Sequence, residues 1–144
     1  MEIVRFAVGA LLLVASALLA VQLWNGRWQF LVARPECTKK GTFFPAGTRE
    51  TGRHLSWVMV ACFAAVATLM ASEMGRLSGS ALFAQAGFVV SGVALVAYGA
   101  FVVWTVAFHC KAHGRPYFAG GSSRLVVTLA ATCAVLTALS LLFA

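Results

Sequence analysis

Charge is what this sequence has least of. Eleven Lys and Arg residues and four Asp and Glu residues make up 10% of its 144 positions, where a soluble domain carries about 25%. So few charges argue against water as the main solvent. The long runs between the charges hold no charged residue at their centres; Arg5 and Glu73 stand near run ends. Proton-coupled pumps and ion exchangers keep such a group at membrane depth because it is costly and retained for a task, so its absence argues against a coupled transporter. No stretch alternates apolar and polar residues over about ten positions, which excludes the strand pattern of a membrane barrel.

Catalytic patterns are also missing. There is no C-x-x-C pair among the four cysteines, which disfavours a dithiol oxidoreductase. No Ser/His/Asp set or glycine-rich phosphate loop occurs, and Glu36 and Glu50 are isolated among basic residues. The sequence points away from an enzyme, and no cofactor is expected from it.

What is present is apolar length. Uncharged runs cover residues 6–24, 55–72, about 81–108 and 125–144, each near the roughly 20 residues that cross a 30 Å hydrocarbon layer. They predict an all-α, four-helix transmembrane bundle in a single domain, with spans at about 4–24, 55–74, 81–108 and 124–144. The first run is too long for a signal-peptide core, and its basic flank follows rather than precedes it, so it is expected to stay as a span. The third is longer than a bilayer requires and should tilt, kink near Gly92 or Gly99, or project.

The basic residues then orient the bundle. Nine of the eleven fall in two loops, 25–54 and 109–123, or at their edges: Arg27, Arg34, Lys39, Lys40, Arg49, Arg53, Lys111, Arg115 and Arg124. Only Arg5 and Arg76 fall on the other side. Positive residues collect in cytoplasmic loops, which puts both loops inside the cell membrane (the inner membrane of a bacterium) and both termini outside. Basic loops beside apolar runs call for anionic lipid rather than nucleic acid as their partner. Arg34, Lys39, Lys40, Arg49 and Arg53 are the expected headgroup contacts, with Phe43 and Phe44 in the interface. The breakers Pro35, Gly41, Pro45 and Gly47 predict an irregular loop resting on the membrane surface.

Small residues recur at helical spacing. Gly87, Ser91 and Gly92 in the third span, and Ala130, Ala134 and Ala138 in the fourth, are the expected helix-packing positions, since close backbone approach drives helix association in lipid. They serve either to pack the four helices together or to receive a partner, another membrane protein or a second copy. The one constellation with ligand chemistry is "HCKAH": His109 and His113 are four apart, so on a continuing helix they share a face, which suits a metal ion, and axial histidine suits haem; His54 falls on the same predicted inner side. Breakers at Gly114 and Pro116, and the lack of a third fixed ligand, weigh against it.

At "NGRWQFLVA", residues 25–33, the chain resembles a bacterial family of small, uncharacterised multi-span membrane proteins. In that family a Gly-Lys pair at the inner end of the first helix leads into Leu-Ile-Ala-Gly-Tyr-Asn. Gly26, Arg27, Leu31, Val32 and Ala33 stand at comparable places, whereas Arg34 and Pro35 depart from the pattern and a fourth span follows. The resemblance implies a topology and no activity. The expected function is a non-catalytic accessory or scaffold subunit of a membrane assembly. The alternative is a ligand-handling protein, either a small-solute facilitator or a redox or metal-binding subunit using His109 and His113.

Overall fold

The computed structural model describes residues 2–28, 36–43, 48–113 and 123–143, with side chains described except at 36–38, 42, 43, 48, 108–113, 123 and 124. Among these residues there are four helices: α1 (Glu2–Trp24), α2 (Thr48–Leu77), α3 (Ala81–His113) and α4 (Ser123–Phe143), and two short strands, β1 (Glu36–Thr38) and β2 (Gly41–Phe43). All four helices are long and apolar enough to cross a membrane. Their outward faces carry large apolar side chains such as Leu11, Phe88, Val96 and Leu141. In water such a surface would drive association; against hydrocarbon it has no cost.

Local chemistry sets the helix ends. After α1, Gly26 takes φ 75°, and the Arg27 and Gly26 amides donate to the Gln22 and Leu23 carbonyls at 2.8 and 3.2 Å. After α2 the same double closure recurs: Gly79 has φ 76°, and the Ser80 and Gly79 amides reach Gly75 and Arg76 at 3.1 and 3.3 Å. This is the left-handed cap that glycine adopts without a Cβ penalty. Ser80 then caps α3, its Oγ accepting from the Phe83 amide at 3.4 Å. A three-residue connection therefore folds α3 back along α2.

Two features differ from the sequence expectation. The loop expected to be irregular contains an antiparallel hairpin, with Cys37 opposite Thr42 and Thr38 opposite Gly41. Lys39 and Lys40 form its turn, and Gly41 supplies a φ of 128°, so a breaker in the sequence closes a regular pair. In addition, α2 begins at Thr48 and α3 continues to His113, each extending beyond its apolar run into the stretches 25–54 and 109–123 expected as loops.

The bundle is built around α2. Its buried face, including Leu55, Val58, Met59, Cys62, Ala65 and Val66, supplies half of the buried core, more than any other helix. Antiparallel α1 lies on one side, where Gly9 leaves room for the Met70 side chain (a Cβ there would come within 2.6 Å of the sulfur) and Ser16 Oγ sits 3.8 Å from Cys62 Sγ. On the other side α3 packs closely at Gly75 and Gly87. A Cβ on Gly87 would lie 2.8 Å from the Ser72 Cα, and one on Gly75 would lie 2.7 Å from the Ala84 nitrogen. Ser72 Oγ crosses the same seam to donate to the Ala84 carbonyl at 3.0 Å.

Helix α4 attaches through a leucine stripe. Leu125, Leu129, Leu136 and Leu139 are buried, and Thr132 completes their 4-3-4-3 spacing, the repeat of a coiled-coil seam. Thr132 Oγ1 donates to the Leu129 carbonyl and accepts from the Tyr98 hydroxyl of α3 at 2.6 Å. Ala130, Ala134 and Ala138 lie exposed on the opposite side of α4. Among the α3 positions expected to pack, Ser91 is buried and Gly87 meets Ser72, but Gly92 is exposed and a Cβ there would meet nothing within 4 Å. Gly92 borders a cavity between α2, α3 and α4 rather than a close contact with another helix among the described residues.

Candidate functional site

Polar and aromatic chemistry gathers at the two ends of the bundle. One end is organised around Glu73. Because α2 runs on to Leu77, Glu73 stands one turn inside the helix, and it is only 4% exposed. Its Oε1 accepts from Arg5 of α1 at 3.3 Å and from Arg76, one turn on in α2. Removing a carboxylate from water is expensive unless it is paired, and the pair of arginines meets that need while tying the start of α1 to the end of α2. Arg5 is itself half-withdrawn from solvent, with a buried Nε that has no partner among the described residues.

Glu73 also lines a cavity of about 210 Å³ between α2, α3 and α4, with Ser72, Ser91, Ser140 and the rings of Phe88 and Phe143. The three serine hydroxyls donate to backbone carbonyls: Ser72 to Ala84, Ser91 to Phe88 and Ser140 to Leu136. Their protons are thus committed, which leaves these oxygens as acceptors. The neighbouring arginines leave a positive balance around this carboxylate, which opposes a cation as occupant. The arrangement reads as a structural ion triad beside a small, mostly apolar void with a few polar groups on its wall.

The other end is aromatic. All four tryptophans lie here: Trp24 and Trp28 at the end of α1, Trp57 in the third turn of α2, and Trp104 late in α3. A run of ring contacts joins three helices: Trp24 to Trp57 edge-on at 6.1 Å, Trp57 stacked on Phe101 at 6.2 Å, Phe101 to Trp104 at 5.9 Å, and Trp104 to His54 edge-on at 4.3 Å. Aromatic pairs at such spacing contribute about 0.5–1.5 kcal/mol each beyond their buried area. The Arg53 guanidinium sits 5.5 Å from the centre of the Trp24 ring. A groove of about 360 Å³ opens between α1 and α2 beside this pair.

The residues singled out from sequence distribute as follows. His54 lies on α2 against Trp104. The backbone of α3 is helical through His109 and His113, whose side chains lie outside the described residues, as does that of Cys110. Among the described residues no three His, Cys, Asp or Glu side chains come together. Of the expected headgroup contacts, Lys39, Lys40, Arg49 and Arg53 are exposed, while Arg34 and Phe44 lie outside the described residues, as does the side chain of Phe43. Sequence reasoning passed over the Glu73 triad, because partners 68 positions apart leave no local signal. It also passed over the leucine stripe of α4, whose 4-3-4-3 spacing was available. Comparison with family models, with curated proteins and with solved structures finds no match to this chain.

Proposed function

We propose that this chain is a multi-pass protein of the inner membrane, with both termini outside, that serves as a non-catalytic accessory or scaffold subunit of a membrane assembly. The observation that supports this is the alanine ridge of α4. Ala130, Ala134 and Ala138 sit exposed, back to back with the leucine stripe that holds α4 to its own bundle. A ridge of small side chains lets a second helix approach closely enough for dispersion to hold it where lipid is the solvent. The occupant is a helix of another membrane protein or of a second copy.

Replacing Ala134 by Leu is the test. The side chain would point away from the bundle, so melting of the purified protein in detergent should stay within about 0.5 kcal/mol of the parent. Crosslinking of the tagged chain in native membranes should lose its higher-mass product. If the crosslinked product persists unchanged, the ridge faces lipid and the scaffold reading loses its support.

Orientation is tested separately. The nine-to-two basic asymmetry predicts that a reporter active only in the cytoplasm stays silent when fused after Ala144, and that one active only outside gives full signal. A strong cytoplasmic signal would mean an inverted bundle or an odd number of crossings.

A further inference from the structure

We propose that the groove between α1 and α2 at the tryptophan end seats one anionic phospholipid, its acyl chain against the apolar floor and its phosphate at Arg53. The proposal rests on the membrane reading above, and goes beyond the diffuse attraction of a basic loop to an anionic surface. It names a built place for a single lipid.

The groove has two chemically distinct parts. Its floor is small and apolar: Ala20 and Val21 from α1, Val60 from α2, walled by the edge-to-face pair Trp24 and Trp57. At one end it changes character, where Asn25 and Ser56 supply polar groups. Arg53 stands one turn before Trp57 on α2, exposed and held over the Trp24 ring. Arg27 leaves α1 three residues after Trp24, also exposed. An apolar trough that ends in amide and hydroxyl groups, with the Arg53 guanidinium beside its Trp24 wall, matches a molecule with a hydrocarbon tail and an anionic head.

Charge complementarity selects the head. Arg53 forms no ion pair with a carboxylate among the described residues; Glu50, one turn earlier, is exposed and makes none with it. The contrast with Arg5 and Arg76, both committed to Glu73, is direct. A guanidinium on an aromatic face keeps its outward N–H donors free, and its planar fork suits two phosphate oxygens at once. The volume of about 360 Å³ falls within the range of pockets that seat a small ligand, and its position at the tryptophan belt is the depth at which a phosphate meets its acyl chains.

The experiment uses the full chain reconstituted in phosphatidylcholine vesicles, with flotation confirming insertion. Tryptophan fluorescence is read while brominated phosphatidylglycerol or brominated phosphatidylcholine is added at equal mole fraction. Bromine quenches on contact, and the groove walls are tryptophans. The phosphatidylglycerol should quench at a roughly five-fold lower mole fraction than the phosphatidylcholine, the factor expected from one basic residue near an anionic headgroup. Arg53→Gln should abolish that preference and Arg49→Gln should retain it, although both remove one charge from the first turns of α2. Val21→Phe, which fills the trough without changing charge, should weaken quenching by both lipids. Millimolar glycerol phosphate should leave the quenching unchanged.

Equal quenching by the two lipids overturns the proposal. So does equal loss in the two arginine variants, which would return the effect to diffuse surface charge, and so does competition by glycerol phosphate, which would make this a site for a soluble anion. A chain that fails to float with the vesicles overturns the membrane reading itself, a result distinct from all of these.

Discussion

Replacing Glu73 by Leu should lower the stability of the detergent-solubilised protein by about 3 kcal/mol. The effect comes less from the bonds lost than from what is left behind. Arg5, whose side chain is 21% exposed, would keep its charge in a partly dry site with no carboxylate to meet it. Arg76 is 56% exposed and would simply turn to solvent, so most of the loss belongs to Arg5. The double variant Arg5→Leu/Glu73→Leu should therefore recover about 1–2 kcal/mol relative to Glu73→Leu alone, because it removes the stranded charge along with its partner. Thermal or denaturant unfolding of the four proteins of this cycle measures the coupling. Additive single variants would mean that the two side chains do not sense each other, and the ion triad would not be what joins α1 to α2 at this end.

The second large effect is expected at Gly87. A Val there would drive a Cβ to within 3.0 Å of the Cα, nitrogen and Cβ of Ser72, and two of those three atoms are backbone, which cannot rotate aside. The helices must separate along the seam that also holds the Ser72–Ala84 hydrogen bond. A loss of about 3 kcal/mol is expected, at the upper end of overpacking because no rotamer relieves it. Gly92→Val is the matched control. It sits five residues on in the same helix, where a Cβ meets nothing within 4 Å, and its melting should stay close to the parent's. If the two variants melt alike, the α2–α3 seam is not set by Gly87.

That pair of glycines also shows how far the sequence reaches. Gly87, Ser91 and Gly92 form one small-residue cluster in the primary structure, and nothing in it says that Gly87 meets α2 at contact distance while Gly92 borders a cavity with nothing in reach of a Cβ. The same holds for α4, where alanines and leucines repeat at helical spacing on opposite sides and either stripe satisfies a packing rule. In a soluble helix the polar face would settle the matter. Here the solvent side is apolar too, so hydrophobic periodicity has no contrast with which to mark the buried face.

What the sequence by itself determined is therefore local and one-dimensional. Run lengths predicted four helices, and the uneven placement of basic residues predicted an orientation. Those features depend on a residue and its near neighbours, through backbone geometry and solvation. Only the tertiary structure decided which faces meet, that Arg5 reaches Glu73 across 68 positions, and that Trp24, Trp57, Phe101, Trp104 and His54 join three helices in one chain of rings. It also decided that a lysine turn with a left-handed glycine makes a hairpin of a stretch full of breakers. The physical reason is the same in each case: such contacts arise from shape and partner geometry between helices that hydrophobicity alone leaves free to rotate about their own axes.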